Sequence, residues 1–449
     1  MNLDLSDYRA RLASASPERA WKSLRELTLH GEGDALALAA EFAEFAEIAE
    51  PSSEKLLKLW PQALDPDAFA EHLLAPAFDD EGRTELELRR RDSLAGLRHL
   101  TTLRTLVLDH CKGLTDLSEL AALTELRELK LDGCAAVSDL RPLAGLIRLE
   151  VLEVGSSPAV SDVSPLLGLR NLQRLSLRSS GVTGVEGFGE AFPYLDRLSL
   201  DNCRFIEDIR PLSGLRRLTE LEVSRTKITS LEGLYELDSV TELHLHCARL
   251  TSLDGIAAMP ALERLYLGGC TKLKSLDGLG HHPRLTNLGL PSAPLPDLRP
   301  LSRLPALTEI AIDNFNKLTS LDGLEGHPSI SEVYLAYTEL MKDFTALARM
   351  PALRVLTLQG LDHLSDLSPF AGLPGLKELH VAYTDDLTTL DGLERLPSLR
   401  ALHLDNCDSL GDLGEVTGFP SLKEVTVSRC PALPPDLLSD LRARGLLSG

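Results

Sequence analysis

The stretch Leu126–Arg148, LRELKLDGCAAVSDLRPLAGLIR, decides the architecture of the chain. Through Leu129 and Leu131 it alternates apolar and polar residues, the pattern of a short strand with one buried side. Later it sets Leu140, Leu143 and Leu146 three positions apart, which suits a 3₁₀ turn or an extended segment and leaves no room for a long helix. The pattern recurs. Aligned on the first apolar strand residue, the copies begin at Leu106, Leu129, Leu152, Leu175, Leu198, Leu221, Leu243, Leu265, Leu288, Ile310, Val333, Leu356, Leu379, Leu402 and Val425, always 22 or 23 residues apart. A weaker copy precedes them at Leu86 and Leu88, in TELELRRRDSLAGLRHL. One such unit cannot bury its own apolar side, whereas stacked neighbours make the leucine columns continuous. The expected fold is therefore an α/β solenoid of about 15–16 repeats, with a parallel sheet on its concave side and 3₁₀ or extended segments on its convex side. Composition agrees: 99 of 449 residues are Leu and only 4% are aromatic, a bias that a repeat explains and an ordinary mixed core does not.

From about residue 84 to 430 the chain resembles the leucine-rich repeat family, most closely its internalin-type and phosphatase-regulator-type subclass of 22–23-residue repeats. SDLRPLAGL (138–146), SDVSPLLGL (161–169) and SDLSPFAGL (365–373) carry the resemblance. It implies a horseshoe and an interaction platform, and is silent about the ligand. Internalins proper are exported and attached to the cell surface. That part of the analogy is not carried over, because MNLDLSDYRARLASASPERAWKSL has no apolar signal region.

Two convex variants alternate. One reads D-L-x-P-L. The other reads L-D/E-G-L, as at Asp254-Gly255, Asp277-Gly278, Asp322-Gly323 and Asp391-Gly392. Both are expected to set an acid beside a tight-turn residue, a structural role and not a pair of catalytic carboxylates. Residues 1–83 lack the period. A helix is expected over Asp34–Glu50 with Phe42, Phe45 and Ile48 on one face, a second over Glu54–Trp60 stopped by Pro61, and a third capped by Asp65 with Pro66 in its first turn. This region is read as a helical N-terminal cap, the alternative being a small docking domain. Residues 431–449 are expected to hold a capping helix over 434–445, opened by Pro435 and closed by Gly445.

Charge narrows the partners. Lys+Arg is 46 against 67 Asp+Glu, a net −21, which argues against a nucleic-acid footprint and against anionic membranes. No apolar run of about 18 residues is present for a membrane span. The expectation is a cytoplasmic protein. Enzyme signatures are absent: there is no Gly-Lys dipeptide of a phosphate loop, no H-E-x-x-H and no G-x-S-x-G. No cofactor is expected.

All seven cysteines lie in the repeats: Cys111, Cys134, Cys203, Cys247, Cys270, Cys407 and Cys430. Ser157, Ser180, Thr226, Thr338 and Thr384 hold the matching place in other copies, so an inward, weakly polar thiol is expected there. Bridges between stacked neighbours are the alternative; a reducing cytosol favours free thiols. No C-x-x-C occurs, and His282 and His327, at one repeat position two copies apart, are too distant to share an ion, so no metal is expected.

The informative surface is the concave one. Side chains one, three and four places after each core residue point outward or end the strand. These places hold Asp109, Asp132, Asp201, Asp313 and Asp405, and the candidate partner-binding residues His244, His246, Tyr266, Tyr334, Tyr337, His380, Tyr383 and His403. Tyrosine favours interfaces because it offers large area, few torsions and a polar tip, although tyrosine and histidine also sit well on strands. The Leu288 copy, with Gly289, Pro291, Pro294 and Pro296, is expected to be an irregular segment separating two clusters. The function expected is a non-enzymatic scaffold binding a protein partner on its concave face. The alternative is a sensor or inhibitory subunit of a multi-component bacterial immune-type system that docks through its N-terminal helices.

Overall fold

Alternation produces the strands. A computed structural model describes residues 5–12, 16–31, 33–43, 52–313, 318–338, 340–361, 363–370, 372–391, 393, 396–414 and 419–448. The chain forms two compact units, Met1–Leu195 and Asp196–Gly449. In the first, β1 (Glu85–Arg89), β2 (Thr105–Asp109), β3 (Glu128–Asp132), β4 (Val151–Gly155) and β5 (Arg174–Ser176) pair in sequence order, all parallel. The second holds β6 (Arg197–Ser199), β7 (Glu220–Glu222), β8 (Glu242–His244), β9 (Arg264–Tyr266), β10 (Asn287–Gly289), β11 (Glu309–Asp313), β12 (Glu332–Ala336), β13 (Val355–Gln359), β14 (Glu378–Ala382), β15 (Ala401–Asp405) and β16 (Glu424–Ser428). They too are parallel and in sequence order. Equal repeat positions pair, as in Leu106↔Leu129↔Leu152, so the weak copy at Leu86 is a complete row.

The expected columns form the core. Leu129, Leu131, Leu140, Leu143 and Leu146 are all buried, and the same holds row after row. Short 3₁₀ turns such as Ser118–Ala122, Arg141–Leu143 and Arg299–Arg303 fill the side opposite the strands. In the D-L-x-P-L rows the aspartate caps this turn: Asp139 Oδ1 accepts the Arg141 N–H at 2.9 Å, and Asp162, Asp208 and Asp366 do the same for the residue two ahead. The L-D/E-G-L rows set the acid beside the turn glycine as expected, and use a different cap. There a hydroxyl caps, and the amide of the acid itself is the donor: Asp254 N–H to Ser252 Oγ at 3.0 Å and Asp277 N–H to Ser275 Oγ at 3.0 Å. Gly255 follows at φ +100° against the Leu231 carbonyl, a place only glycine fits.

The N-terminal region is helical: α1 (Leu5–Leu12), α2 (Pro17–His30), α3 (Gly33–Ala43), α4 (Ser53–Leu59) with a 3₁₀ turn over Trp60–Gln62, α5 (Pro66–Phe69), a π-turn over Ala70–Leu74, and α6 (Ala75–Asp80). Asp65 caps as expected, its Oδ1 accepting the Ala68 N–H at 3.0 Å. Of the helix expected over Asp34–Glu50, residues 44–50, including Phe45 and Ile48, and the Phe42 side chain lie outside the described residues. Helices α1 and α2 add to the sequence reading; Pro17 at the start of α2 and the buried Leu24 and Leu27 are the signals it contained. At the other end α7 (Pro435–Ala443) precedes Gly445 at φ +68°. The chain then pairs Leu447 with Val425, covering the outer edge of β16.

Candidate functional site

Two clusters of ring side chains form on the open face of the second unit's sheet. In the first, register sets His244 of β8 beside Tyr266 of β9, and their rings stack at 4.6 Å and 23°. Glu242 accepts from His244 Nε2 at 2.8 Å and pairs with Arg264. Burial pushes the Glu242 carboxyl up, but those two bonds hold it below its ordinary value. His246 lies over Gly269, where any side chain would collide with its ring. With Ser224, Gly289 and Asp313 these rings line a hollow of about 350 Å³.

Gly289, in the copy expected to be an irregular segment, lines this hollow. Its strand keeps register with both neighbours, Leu265↔Leu288↔Ile310. Losing a side chain opens space beside Tyr266 without costing the ladder its hydrogen bonds.

The second cluster runs from β12 to β15. The Tyr334 hydroxyl donates to Gln359 Oε1 at 2.9 Å, and Gln359 Nε2 donates to the Tyr337 hydroxyl at 2.7 Å. Gln359 of β13 thus ties the two tyrosines of the preceding row together. His380 and His403 stack at 4.3 Å and 20°, and His403 Nδ1 meets Thr426 Oγ1 at 3.2 Å. Burial, then the His403 charge, pulls the His380 pKa down. Tyr337 and Tyr383 are 41% and 43% exposed and adopt φ +47° and +53°. Asn202 and Asn406 occupy that left-handed place in other rows, where a short polar side chain is at ease. A bulky residue there costs roughly 1–3 kcal/mol. Beside these rings burial, then Glu309 and Glu378, pushes the Glu332 carboxyl up.

No protein-family model matches the chain, and no curated protein does. Solved structures do. A Leptospira interrogans leucine-rich repeat protein superposes with TM-score 0.51 at 19% identity, covering 81% of this chain and 100% of its own. TLR13, in its complex with ssRNA13, gives 0.60 at 20%, covering 80% and 55%. An internalin of Listeria monocytogenes gives 0.46 at 21%, covering 78% and 93%. The fold is the leucine-rich repeat.

The other groups singled out in the sequence turn inward in this leucine-rich repeat. All seven cysteines are buried free thiols. Cys134 Sγ donates to the Leu108 carbonyl at 3.5 Å and Cys247 Sγ to the Val223 carbonyl at 2.9 Å, each serving the preceding row. Burial pushes the thiols of Cys134 and Cys270 up to about 12, far from reactive thiolates. His282 and His327 are also buried. His282 Nδ1 donates to the Leu279 carbonyl at 2.6 Å, whereas His327 Nδ1 accepts the Ile330 N–H at 3.3 Å; neither Nε2 makes a hydrogen bond. Among the described residues no three potential ligand side chains converge on a metal position, and no helix is long and apolar enough to cross a membrane.

Proposed function

We propose that the protein is a non-enzymatic scaffold that holds a protein partner against the concave face of its repeats, between β8 and β15. The observation that carries this reading is the His244–Tyr266 hollow, a preformed recess walled by rings and floored by glycine. Tyr337 and Tyr383 support it: bulky exposed side chains retained at a strained backbone position are explained by a use elsewhere. The partner presents a basic surface. Net charge is −21, and among the described residues neither Glu309 nor Glu332 has a basic partner. The same charge favours a protein over nucleic acid, which needs basic faces. The cytoplasm is the compartment that seven buried thiols suit best. The test is capture of the partner from the native host. Tyr334→Ala with Tyr383→Ala should abolish capture while leaving the thermal midpoint nearly unchanged, since buried interface tyrosines contribute ~2 kcal/mol or more each. Normal capture by the double variant, with loss on charge reversal of the convex side, would refute the reading.

A further inference from the structure

The place four residues after the core leucine holds an arginine in three rows, Arg90, Arg225 and Arg429. All three have positive φ, +54°, +58° and +51°, so the chain turns alike at each. In the two rows of the second unit the guanidinium is met by an aspartate of the preceding row. Arg225 holds Asp201 at 2.7–3.1 Å, and Arg429 holds Asp405 at 2.8–3.2 Å. Arg90 directly follows β1, which no row precedes. In place of a preceding row, Trp60 and Pro61 of the turn after α4 and Pro66 at the start of α5 line the cleft with Arg90.

Arg91 adds a second cation. Its N–H donates to Cys111 Sγ at 3.3 Å, and its guanidinium lies 5.4 Å over the Trp60 ring. The indole is fixed in turn by its Nε1–H, which donates to the Pro66 carbonyl at 3.0 Å. Burial pulls the Arg91 pKa below its ordinary value. Among the described residues neither Arg90 nor Arg91 has a carboxylate partner, in a chain with 67 acids. A partly desolvated guanidinium without a counter-charge is costly, and a bound anion relieves that cost. These residues line a cleft of about 270 Å³ with Asp92, Ser93 and Ala95.

We propose that this cleft binds a monocarboxylate about the size of one amino-acid residue, its carboxylate taking the place that Asp201 and Asp405 hold against Arg225 and Arg429. The planar guanidinium fork matches a carboxylate. The volume exceeds a bare carboxylate and admits an attached apolar body among Pro61, Pro66 and the indole edge. Two arginines against Asp92 leave one positive charge to neutralise, which selects against a phosphate dianion. Such a carboxylate comes either from a free small molecule or from the C-terminal residue of a polypeptide.

The test uses full-length protein carrying Trp21→Phe, so that Trp60 is the sole indole. N-acetyl-L-phenylalanine should change its emission saturably, while N-acetyl-L-phenylalaninamide and inorganic phosphate should not. Arg90→Gln and Arg91→Gln should each weaken binding about tenfold or more, the scale of a lost charge-assisted hydrogen bond. Arg90 is exposed, so its variant keeps the test decisive if Arg91→Gln loosens the helices. An equal response to 3-phenylpropionate would assign the site to free carboxylates; a response to the acetylated residue alone would assign it to chain termini. No saturable response to either carboxylate, an equal response to the amide or phosphate, or unchanged affinity in both arginine variants overturns the proposal.

Discussion

His327 stands in a column whose other members include Leu304, Met350, Leu373 and Leu396, all buried. An imidazole there is out of keeping with its surroundings. Its Nδ1 accepts the Ile330 N–H, so the ring proton sits on Nε2, a buried donor without a hydrogen bond. Such a group costs roughly 1–3 kcal/mol. His327→Leu is therefore expected to raise stability by about that amount, seen as a higher urea midpoint at unchanged slope. The pH dependence has a definite sign. Burial lowers the folded-state pKa, and the Leu301 and Leu304 carbonyls, near the ring but outside hydrogen-bond geometry, offset only part of that. The contribution of the neutral ring is complete above the unfolded value near 6.5 and is lost as pH falls through the depressed folded value. His327→Leu should lack that acid-side loss. A variant less stable than the parent, with the same pH profile, would show that the ring is satisfied in solution.

The repeating element shows what letters disclose and what they hide. Strands and core columns were legible because stacking makes one leucine position answer for every row, as Leu129 does beside Leu106 and Leu152. The capping atom was not, because S-D-L-x-P-L and S-L-D-G-L carry similar letters one place apart. What the turn needs is an oxygen two residues before a free N–H, and Asp139 and Ser252 both satisfy that whatever their charge. At Asp366 the bonds from Ser368 hold the carboxyl below its ordinary range. Asp366→Ala should cost about 1 kcal/mol in a denaturant titration at pH 7, the usual worth of a cap, and Asp366→Asn much less. The charged cap is at full strength above the unfolded value near 3.9 and weakens as pH falls through the lower folded value. Equal losses for Ala and Asn at pH 7 would assign the effect to charge and not to capping.

At the scale of the molecule, periodicity explains both the success and the gap in the sequence reading. Ring residues one, three and four places after a core residue were readable as candidates because register is inherited from row to row. Their pairing was not, since Gln359 bridging Tyr334 and Tyr337 depends on side-chain reach, which spacing does not encode. Residues 1–83 have no period to inherit, so α1 and α2 had to declare themselves locally. How those helices meet the first row is decided at Gly96. Its φ is +89°, and a Cβ would lie 2.5 Å from the Pro66 carbonyl oxygen and 2.6 Å from the Ala70 Cβ. The α5 segment thus rests on bare backbone, flanked by Asp67 paired with Arg98 and His99. Gly96→Val forces a β-branched residue into the left-handed region and drives α5 outward, for a combined cost of ~3 kcal/mol or more. The expected result is a lower thermal midpoint and a red-shifted Trp60 emission, because the indole is held by the Pro66 carbonyl. Deleting residues 1–83 carries the same change to its limit. It bares Leu86, Leu97 and Leu100, now almost fully buried, and the truncated protein should aggregate. A soluble, cooperatively unfolding truncation, together with a Gly96→Val protein of native midpoint and emission, would show that the helices are a separate docking domain and that the first row closes itself.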